Sequence, residues 1–281
     1  MITTIISYSS NEYRFIDTCL AAARPFSSEI IVTVCDHFFD GKEENRDILD
    51  TTYAEHPDVQ FIEFAYDTVP YGIGHSITNE DKDWKHYLHS TARFVAYHHR
   101  KNRDNHVLFL DADEIVDTSL FQLLLIQRDY QKYAAIRFKE RFYFGTETLA
   151  GYPGICKNVL VDPKTLPEEA LLDVDERRAI YLAAEGEKLI VDTVCIDHYS
   201  FVRSKEEMER KIRSWGHSYD YEWNSDDLTQ GGKEIAETIF DIPFDTVPKK
   251  HDFSRTFASV KKGDFKNVTK VDRITMLTKS I

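Results

Sequence analysis

Apolar residues in the first 110 positions fall into short continuous runs separated by longer segments with a different spacing. Each run is rich in β-branched or aromatic residues and is five to seven residues long. Such runs are typical of strands that are buried on both faces of a parallel sheet. We therefore predict strands at 3–8, 29–35, 59–64 and 106–110.

The segments between these strands have apolar residues at helical spacing. In the first segment Phe15, Ile16, Cys19 and Leu20 lie on one helical face, and Pro25 ends the pattern. We predict helices over 12–23, 42–55 and 83–100. Strands that alternate with helices predict a doubly wound α/β fold with a largely parallel sheet.

The pattern changes beyond residue 120. We predict a β-hairpin arm over 132–145, a helix over 168–188, a strand over 189–201 and an amphipathic helix over 205–223. The last ~50 residues lack strong periodicity and contain two prolines, which predicts a tail or small lid packed on the core. The chain thus divides into a main domain over 1–204 and a C-terminal helix and tail over 205–281.

Composition narrows the class of protein. The 281 residues are 42% hydrophobic and 30% charged, which is typical of a soluble globular protein. The net charge of -13 disfavours nucleic acid as a partner. The N-terminus lacks the pattern of a signal peptide, and no run reaches the ~20 apolar residues of a membrane helix. The four widely spaced cysteines fit reduced thiols in a cytoplasmic protein.

Polar side chains follow three of the predicted strands at the point where each strand ends. Residues 7–11 follow the first strand, Asp36 follows the second, and Asp111 and Asp113 follow the fourth. Ligands of doubly wound sheets bind beyond the carboxyl ends of the strands. We therefore expect these side chains to surround one ligand site.

Asp111 and Asp113 are close enough in sequence to repel each other unless a cation lies between them or one holds a proton. Carboxylate oxygens of this kind suit Mg²⁺ or Mn²⁺. The alternative is a helix N-terminus, at which Asp113, Glu114 and Asp117 would complement the helix dipole. Capping explains Glu114 or Asp117, but not Asp111, which lies inside the end of the strand.

The segment LFLDADE resembles the D-x-D motif of nucleotide-sugar-dependent glycosyltransferases of the GT-A fold, especially the family 2-like group. That group has an Asn-Glu pair after an early strand, which is present here at 11–12. Its second strand ends in an acidic residue followed by an Asp-Gly turn, matched by Asp36 and the turn at 40–41. Arg93 matches an arginine in the helix before the D-x-D strand. The resemblance extends over roughly residues 3–203.

This resemblance implies a Rossmann-like GT-A fold with a mixed, mostly parallel sheet flanked by helices. The catalytic domain would be 1–204, followed by a C-terminal helical or irregular extension. It also implies a metal-dependent glycosyltransferase with Mn²⁺ or Mg²⁺. The enzyme would move a sugar from a nucleoside-diphosphate sugar to a carbohydrate or other hydroxyl acceptor, with inversion.

By the same resemblance, Ser7, Glu12, Asp36 and Arg93 would contact the nucleotide, and Asp111 would contact the ribose or the metal. Two of these residues have simpler interpretations that we leave open. Asp36 could form a turn, and Arg93 could lie on a solvated helix face or in an ion pair.

The resemblance also implies a metal site formed by Asp111, Asp113 and His198. His198 follows an apolar strand in IDHYSFVR, where many GT-A enzymes have a metal-binding histidine; the alternative is a structural histidine. Arg203 has the planar guanidinium that suits a diphosphate, and a surface ion pair is the competing interpretation.

An inverting transferase needs a base that accepts the proton of the acceptor hydroxyl. The resemblance assigns this role to Asp175, at the start of a helix that ends near Gly186. The Glu-Asp pair that is usual in the family is absent, because Val174 precedes Asp175. Asp173 and Glu176 therefore remain alternatives, as does a solvated acidic helix start.

The aromatic segment WGHSYDYEW at 215–223 is interpreted as core first, with Trp215 and His217 as residues at the edge of the site. Three other functions share paired carboxylates or the same fold. A haloacid-dehalogenase-type phosphatase would have its D-x-D near the start of the domain, and a nucleotidyltransferase would often have a Gly-rich basic loop after its first strand. The third alternative is an inactive GT-A domain that only binds.

Overall fold

The computed structural model describes residues 1–71, 76–152, 157–219, 222–255, 257, 263 and 265–273. Strands and helices alternate through the first 128 residues. Their order is β1 (Ile2–Tyr8), α1 (Tyr13–Ala23), β2 (Glu29–Cys35), α2 (Arg46–Glu55), β3 (Gln60–Phe64), α3 (Trp84–His98), β4 (His106–Asp111), β5 (Glu114–Val116) and α4 (Thr118–Arg128).

The remainder of the chain has longer strands and shorter helices. Their order is β6 (Ala135–Phe144), β7 (Leu149–Gly151), β8 (Asn158–Val161), α5 (Glu176–Ala183), β9 (Lys188–Phe201), α6 (Lys205–Ser214), α7 (Ser225–Gln230), α8 (Gly232–Phe240), β10 (Phe244–Thr246) and β11 (Val268–Val271).

The eleven strands of the described residues form one mixed sheet. Strands β4, β1, β2, β3 and β11 lie side by side and are parallel, as the buried apolar runs predicted. Strand β8 continues this sheet antiparallel to β4, and β6 pairs with β7, β8 and β9. The predicted α/β class, a sheet flanked by helices, is confirmed.

Strand alternation directs apolar side chains to two hydrophobic layers. Ile6 packs on one face with residues of α1, α2 and α4, whereas Ile5 packs on the other with residues of α3 and α5. The layers enclose β1, β2, β3 and β4, so polar side chains of these four strands reach solvent at the strand ends. This is why the carboxyl edge of the sheet is available for a site.

Two predicted helices are shorter than expected. The helix predicted over 168–188 divides into a 3₁₀ turn at Glu168–Leu172 and α5, because the extended backbone of Asp173, with φ of -71° and ψ of 140°, ends the first part. The helix predicted over 205–223 ends at Ser214, where the extended backbone of Trp215 stops α6. In both places a local backbone conformation overrides apolar spacing.

The segment predicted as an irregular tail adds strands to both edges of the sheet. Strand β10 pairs with β7, and β11 pairs in parallel with β3. Between these strands Phe253 packs against Phe15 and Tyr199, with ring centroids 4.8 and 4.6 Å apart. Short strands without clear alternation were not detectable from the apolar pattern.

The side chains of Cys19, Cys35 and Cys195 are buried thiols, as predicted for core cysteines. Cys156 lies outside the described residues. Within the described part of the chain, every helix is too short or too polar to cross a membrane.

We predict that Phe253→Ala destabilises the protein by about 3–5 kcal/mol, because it leaves a cavity beside Phe15 and Tyr199. Phe253 is 3% exposed. Phe257→Ala is the matched control, since Phe257 is 38% exposed and should cost less than about 1 kcal/mol. Urea unfolding measures both values. Equal losses would show that the C-terminal segment is not part of the core.

Candidate functional site

A cavity of about 600 Å³ opens at the carboxyl ends of β1, β2 and β4. Its wall also includes the start of α5 and the residues at the end of α6. Six residues that were predicted for the site line this cavity: Ser7, Glu12, Asp111, Asp113, Asp175 and His198. Trp215 and His217 line it as well, as expected for residues at the edge of a site. Asp36, Arg93 and Arg203 are not among its lining residues.

Both carboxylate oxygens of Asp111 accept hydrogen bonds from cationic side chains. Oδ1 accepts from His89 Nε2 and Arg93 Nη2, each at 3.1 Å, and Oδ2 accepts from Arg177 Nη2 at 3.1 Å. Burial would raise the pKa of Asp111, but Arg177, His89 and Arg93 outweigh it and hold this pKa well below its usual range. Asp111 is therefore ionised and neutralised within the protein.

Glu114 lies in β5 and is 0% exposed. Arg177 donates to both of its oxygens, at 2.6 and 3.0 Å, and the backbone N–H of Asp111 donates to Oε2 at 2.7 Å. The interpretation of Glu114 as part of the following helix is therefore wrong. The same interpretation is confirmed for Asp117, whose carboxylate accepts from the N–H of Leu120 and caps α4.

Asp113 directly precedes β5, in which the next residue, Glu114, lies opposite His198 in the β5–β9 pair. Oδ1 of Asp113 is 3.5 Å from His198 Nε2, and its Oδ2 accepts from Arg203 at 2.6 Å and from Lys211 at 3.1 Å. The other ring nitrogen, Nδ1, is 3.3 Å from Oε2 of Glu140. Burial would lower the pKa of His198, but the charges of Glu140 and Asp113 raise it to about 9.

A possible metal-binding group lies on the inner side of His198. Glu114, Glu140 and His198 each offer one ligand atom, and these atoms lie within 4.8 Å of one another. Within the described residues, Oε1 of Glu140 and Nδ1 of His198 are buried without a hydrogen bond. Two carboxylates and an imidazole form a donor set that could hold a divalent cation.

Glu176 is the centre of a second ionic cluster on the cavity wall. Its Oε1 accepts from His86 Nδ1 at 2.7 Å, and its Oε2 accepts from Arg93 at 2.8 Å and lies 3.2 Å from His89 Nδ1. Burial would raise the pKa of Glu176, but His89 and Arg93 hold it well below its usual range. Burial and Arg93 would lower the pKa of His89, but the charges of Asp111 and Glu176 raise it to about 9.

The three candidates for the base have different surroundings. The side chain of Asp175 is 58% exposed and lies 3.4 Å from Arg178. Asp173 Oδ1 accepts the backbone N–H of Asp175 at 2.8 Å, which stabilises the turn before α5. Glu176 is enclosed by its cationic partners, so its carboxylate has the strongest interactions of the three.

Three predicted nucleotide contacts have partners within the protein. Asp36 accepts the backbone N–H of Tyr66 at 2.7 Å and so joins the chain after β2 to the chain after β3, which is a role other than the local turn. Arg93 is 1% exposed and forms ion pairs, so the alternative of a solvated helix face is wrong. Arg203 donates to the carbonyl of Asn11 at 2.8 Å and contacts Glu12 at 3.1 Å, which makes it a buried rather than a surface ion-pair partner.

Several residues that neutralise or extend the site were not predicted from the sequence: His86, His89, Glu140, Arg177 and Lys211. Arg177 follows Glu176 in a charged run that is indistinguishable from a solvated helix surface. Glu140 was detectable as a lone acid in an alternating strand, at a position that is buried in the structure. Its burial depends on the pairing of β6 with β9, which no local pattern indicates.

The sequence matches no protein-family model and no curated protein. Among solved structures, the fold is similar to S. aureus TarS 1–349, with 13% identity, a TM-score of 0.41, and coverage of 85% of this chain and 72% of that chain. The complex of TarS 1–349 with UDP-GlcNAc gives 11% identity and a TM-score of 0.42, with coverage of 86% and 73%. Similarity at this level describes the arrangement of strands and helices, and says nothing about the chemistry of this chain.

A third similar structure is 4-diphosphocytidyl-2C-methyl-D-erythritol synthase from Anaerococcus prevotii. It has 9% identity, a TM-score of 0.43, and coverage of 75% of this chain and 94% of that chain. This similarity also describes only the arrangement of strands and helices. The chemistry of the site follows from the residues of this chain.

We predict that Arg177→Ala destabilises the protein by about 3–5 kcal/mol, because it leaves Glu114 and Asp111 buried without their common cation. Arg178→Ala is the matched control. Arg178 is 63% exposed, so its loss should change the free energy of unfolding by less than about 0.5 kcal/mol. Urea unfolding measures both. A loss below about 1 kcal/mol for Arg177→Ala would contradict the buried network.

We predict that Glu44 makes the free energy of unfolding depend on pH. Its carboxylate lines the cavity and accepts hydrogen bonds from Ser10. Burial raises its pKa to about 7 from 4.5, so its contribution to stability is present below about pH 4.5 and is lost as pH rises through about 7. Glu44→Gln should therefore be more stable than the wild type above pH 7, by up to about 3 kcal/mol.

That difference should vanish below about pH 4.5, where Glu44 is protonated in both the folded and the unfolded chain. Urea unfolding at a series of pH values measures it. Glu43→Gln is the control, because Glu43 is exposed and should show no such dependence. A constant difference across pH would mean that Glu44 is ionised throughout.

Proposed function

We propose that this protein is a glycosyltransferase that moves a sugar from a nucleoside-diphosphate sugar to a hydroxyl acceptor. The observation that carries the proposal is the cavity at the carboxyl ends of β1, β2 and β4, into which Asp113, His198 and Lys211 all project. A cavity of about 600 Å³ is within the range of sites for small ligands and cofactors. Its position is the usual ligand site of a parallel α/β sheet.

The cavity lining has the groups that the parts of such a donor need. Ser7 and Glu12 offer hydrogen-bonding oxygens at the end of β1 for the ribose or base. Lys157 and Lys211 offer positive charge for a diphosphate. Trp215 offers an aromatic face, which suits the C–H surface of a sugar.

The residues around His198 fit a divalent cation such as Mn²⁺ or Mg²⁺. We place the ion at His198 Nε2 and Asp113 Oδ1, which face the cavity and are 3.5 Å apart. Glu140 beside Nδ1 would then orient the imidazole, as carboxylates commonly do for metal-binding histidines. Asp111 supports the site through its ion pairs and contributes no free oxygen. When bound, the ion would neutralise negative charge on the departing diphosphate.

The protein's own side chains supply the remaining functions. The ammonium group of Lys211 has three N–H donors, and one of them binds Asp113. The other two can donate to phosphate oxygens. Arg203 fixes the carboxylate of Asp113 from below the cavity. Asp175 lines the cavity, and its role as the base stays a prediction.

We predict that a nucleoside diphosphate raises the melting temperature, and that the increase is larger with Mn²⁺ than without it. A ligand at about 100 times its Kd adds about 2.7 kcal/mol, which corresponds to several degrees for a chain of this size. A thermal-shift series with UDP, GDP, CDP and dTDP, each with and without Mn²⁺, measures this effect. If none of them stabilises the protein, the proposed function is wrong.

The matched variant is Asp113→Asn, which keeps the shape of the side chain but removes its charge. It should abolish the additional effect of Mn²⁺ and retain part of the nucleotide effect. Asp58→Asn is the control, because Asp58 lies on the far side of the protein beside Arg24. An unchanged Mn²⁺ effect in Asp113→Asn would place the ion elsewhere.

A further inference from the structure

His86 projects from the first turn of α3 into the cavity and is held at one ring nitrogen by Glu176. The distance from His86 Nδ1 to Glu176 Oε1 is 2.7 Å. The pKa of Glu176 lies well below its usual range because His89 and Arg93 outweigh its burial, so its oxygens can only accept hydrogen bonds. The proton of a neutral His86 must then be on Nδ1, and Nε2 carries the lone pair.

The carboxylate that orients His86 is itself fixed. Glu176 has φ of 53°, a left-handed conformation that is uncommon for residues other than Gly, Asn and Asp. Arg93 and His89 bind its second oxygen and so hold the carboxylate in place. Strained backbone of this kind is concentrated at functional sites.

The imidazole ring of His86 is also held by its neighbours. A Cβ atom at Gly216 would lie 2.5 Å from Nδ1 and Cε1 of His86, so the close approach requires glycine at 216. The ring of His217 packs edge-on against it, with centroids 4.7 Å apart. Within the described residues, Nε2 of His86 has no hydrogen-bond partner in the protein.

We propose that His86 is the general base of the sugar transfer and that Glu176 is its positioning residue. This inference rests on the proposed glycosyltransferase function. It differs from the role predicted for Asp175, whose carboxylate is largely exposed and paired with Arg178. A histidine oriented by an ion-paired carboxylate is an arrangement that proteins use to present a basic nitrogen.

The proposed step transfers the donor sugar to the acceptor oxygen. The acceptor oxygen forms a bond to the anomeric carbon of the donor sugar, and its proton moves to Nε2 of His86. The bond between the anomeric carbon and the phosphate oxygen breaks, and its electron pair leaves with the nucleoside diphosphate. His86 then releases the proton to water, and Glu176 stays ionised throughout.

The position of the proton on the imidazole ring of His86 can be tested without any substrate. Nitrogen-15 NMR of histidine-labelled protein at about pH 8 reports which nitrogen of each neutral imidazole is protonated. His86 is assigned by loss of its signals in His86→Asn. We expect protonated Nδ1 and unprotonated Nε2. Protonated Nε2 would overturn the proposal, whatever the activity of the protein.

The kinetic test uses release of nucleoside diphosphate from UDP-, GDP-, CDP- and dTDP-sugars, with simple glycosides and water as acceptors. His86→Ala should lower turnover by about 10²–10⁴-fold, with little change in the nucleotide-induced shift of melting temperature. Added imidazole should restore part of the rate, which a merely structural role would not produce. Glu176→Gln should lower turnover at least roughly tenfold with a nearly unchanged KM.

His99→Ala is the control for loss of a histidine from the opposite end of the same helix, and should keep the wild-type rate. Asp175→Asn tests the alternative base that was predicted from the sequence. If it is inactive while His86→Ala retains activity, the base is Asp175 and the inference fails while the proposed function stands. If nucleotides bind to no form of the protein, the proposed function fails, and the NMR result still decides the placement of the His86 proton.

Discussion

The geometry of the site depends on one buried guanidinium. Arg177 binds Asp111 and Glu114 together, and Glu114 is fully enclosed. Transfer of ionised groups out of water costs several kcal/mol per ion, so these two acids can lie beside the apolar end of β4 only with their cation in place. Glu114 in turn accepts the N–H of Asp111 and closes the turn between β4 and β5. The conformation of this turn is therefore determined by the protein's own charges.

The two acids of the D-x-D segment have separate partners. Asp111 joins α3 to α5 through Arg93 and Arg177, whereas Asp113 joins β5 to β9 and α6 through Arg203 and Lys211. Strand alternation would have placed both side chains on one side, but the strand ends at Asp111 and the following turn separates them. Only Asp113 retains an oxygen that faces His198 and the cavity, which is why we assign the two acids different roles.

Much of the fold and part of the site were predictable. Buried β-branched runs identified the parallel strands, and the strand-end rule identified the edge at which Ser7 and Asp111 lie opposite each other in register. The proximity of Asp113 and His198 came from resemblance to a family. The burial of Arg177 and Glu140 was not predictable, since it depends on contacts between elements far apart in sequence. The left-handed backbone of Glu176 has no sequence signal, because glutamate rarely adopts it.

The arginines around the cavity are paired with carboxylates of the protein, and this pairing affects how the cavity can bind an anion. Preorganised charges stabilise a reacting group most effectively when their positions do not change as charge develops. Arg93, Arg177 and Arg203 meet this condition, because each is itself buried and is held by ion pairs with carboxylates. Lys211 differs, since it projects into the cavity from α6 and its carboxylate partner among the described residues is Asp113 alone. A ligand anion would therefore meet two adaptable cations, Lys157 and Lys211, on a rigid ionic frame, and differences in affinity between ligands should depend mainly on their contacts with these two lysines.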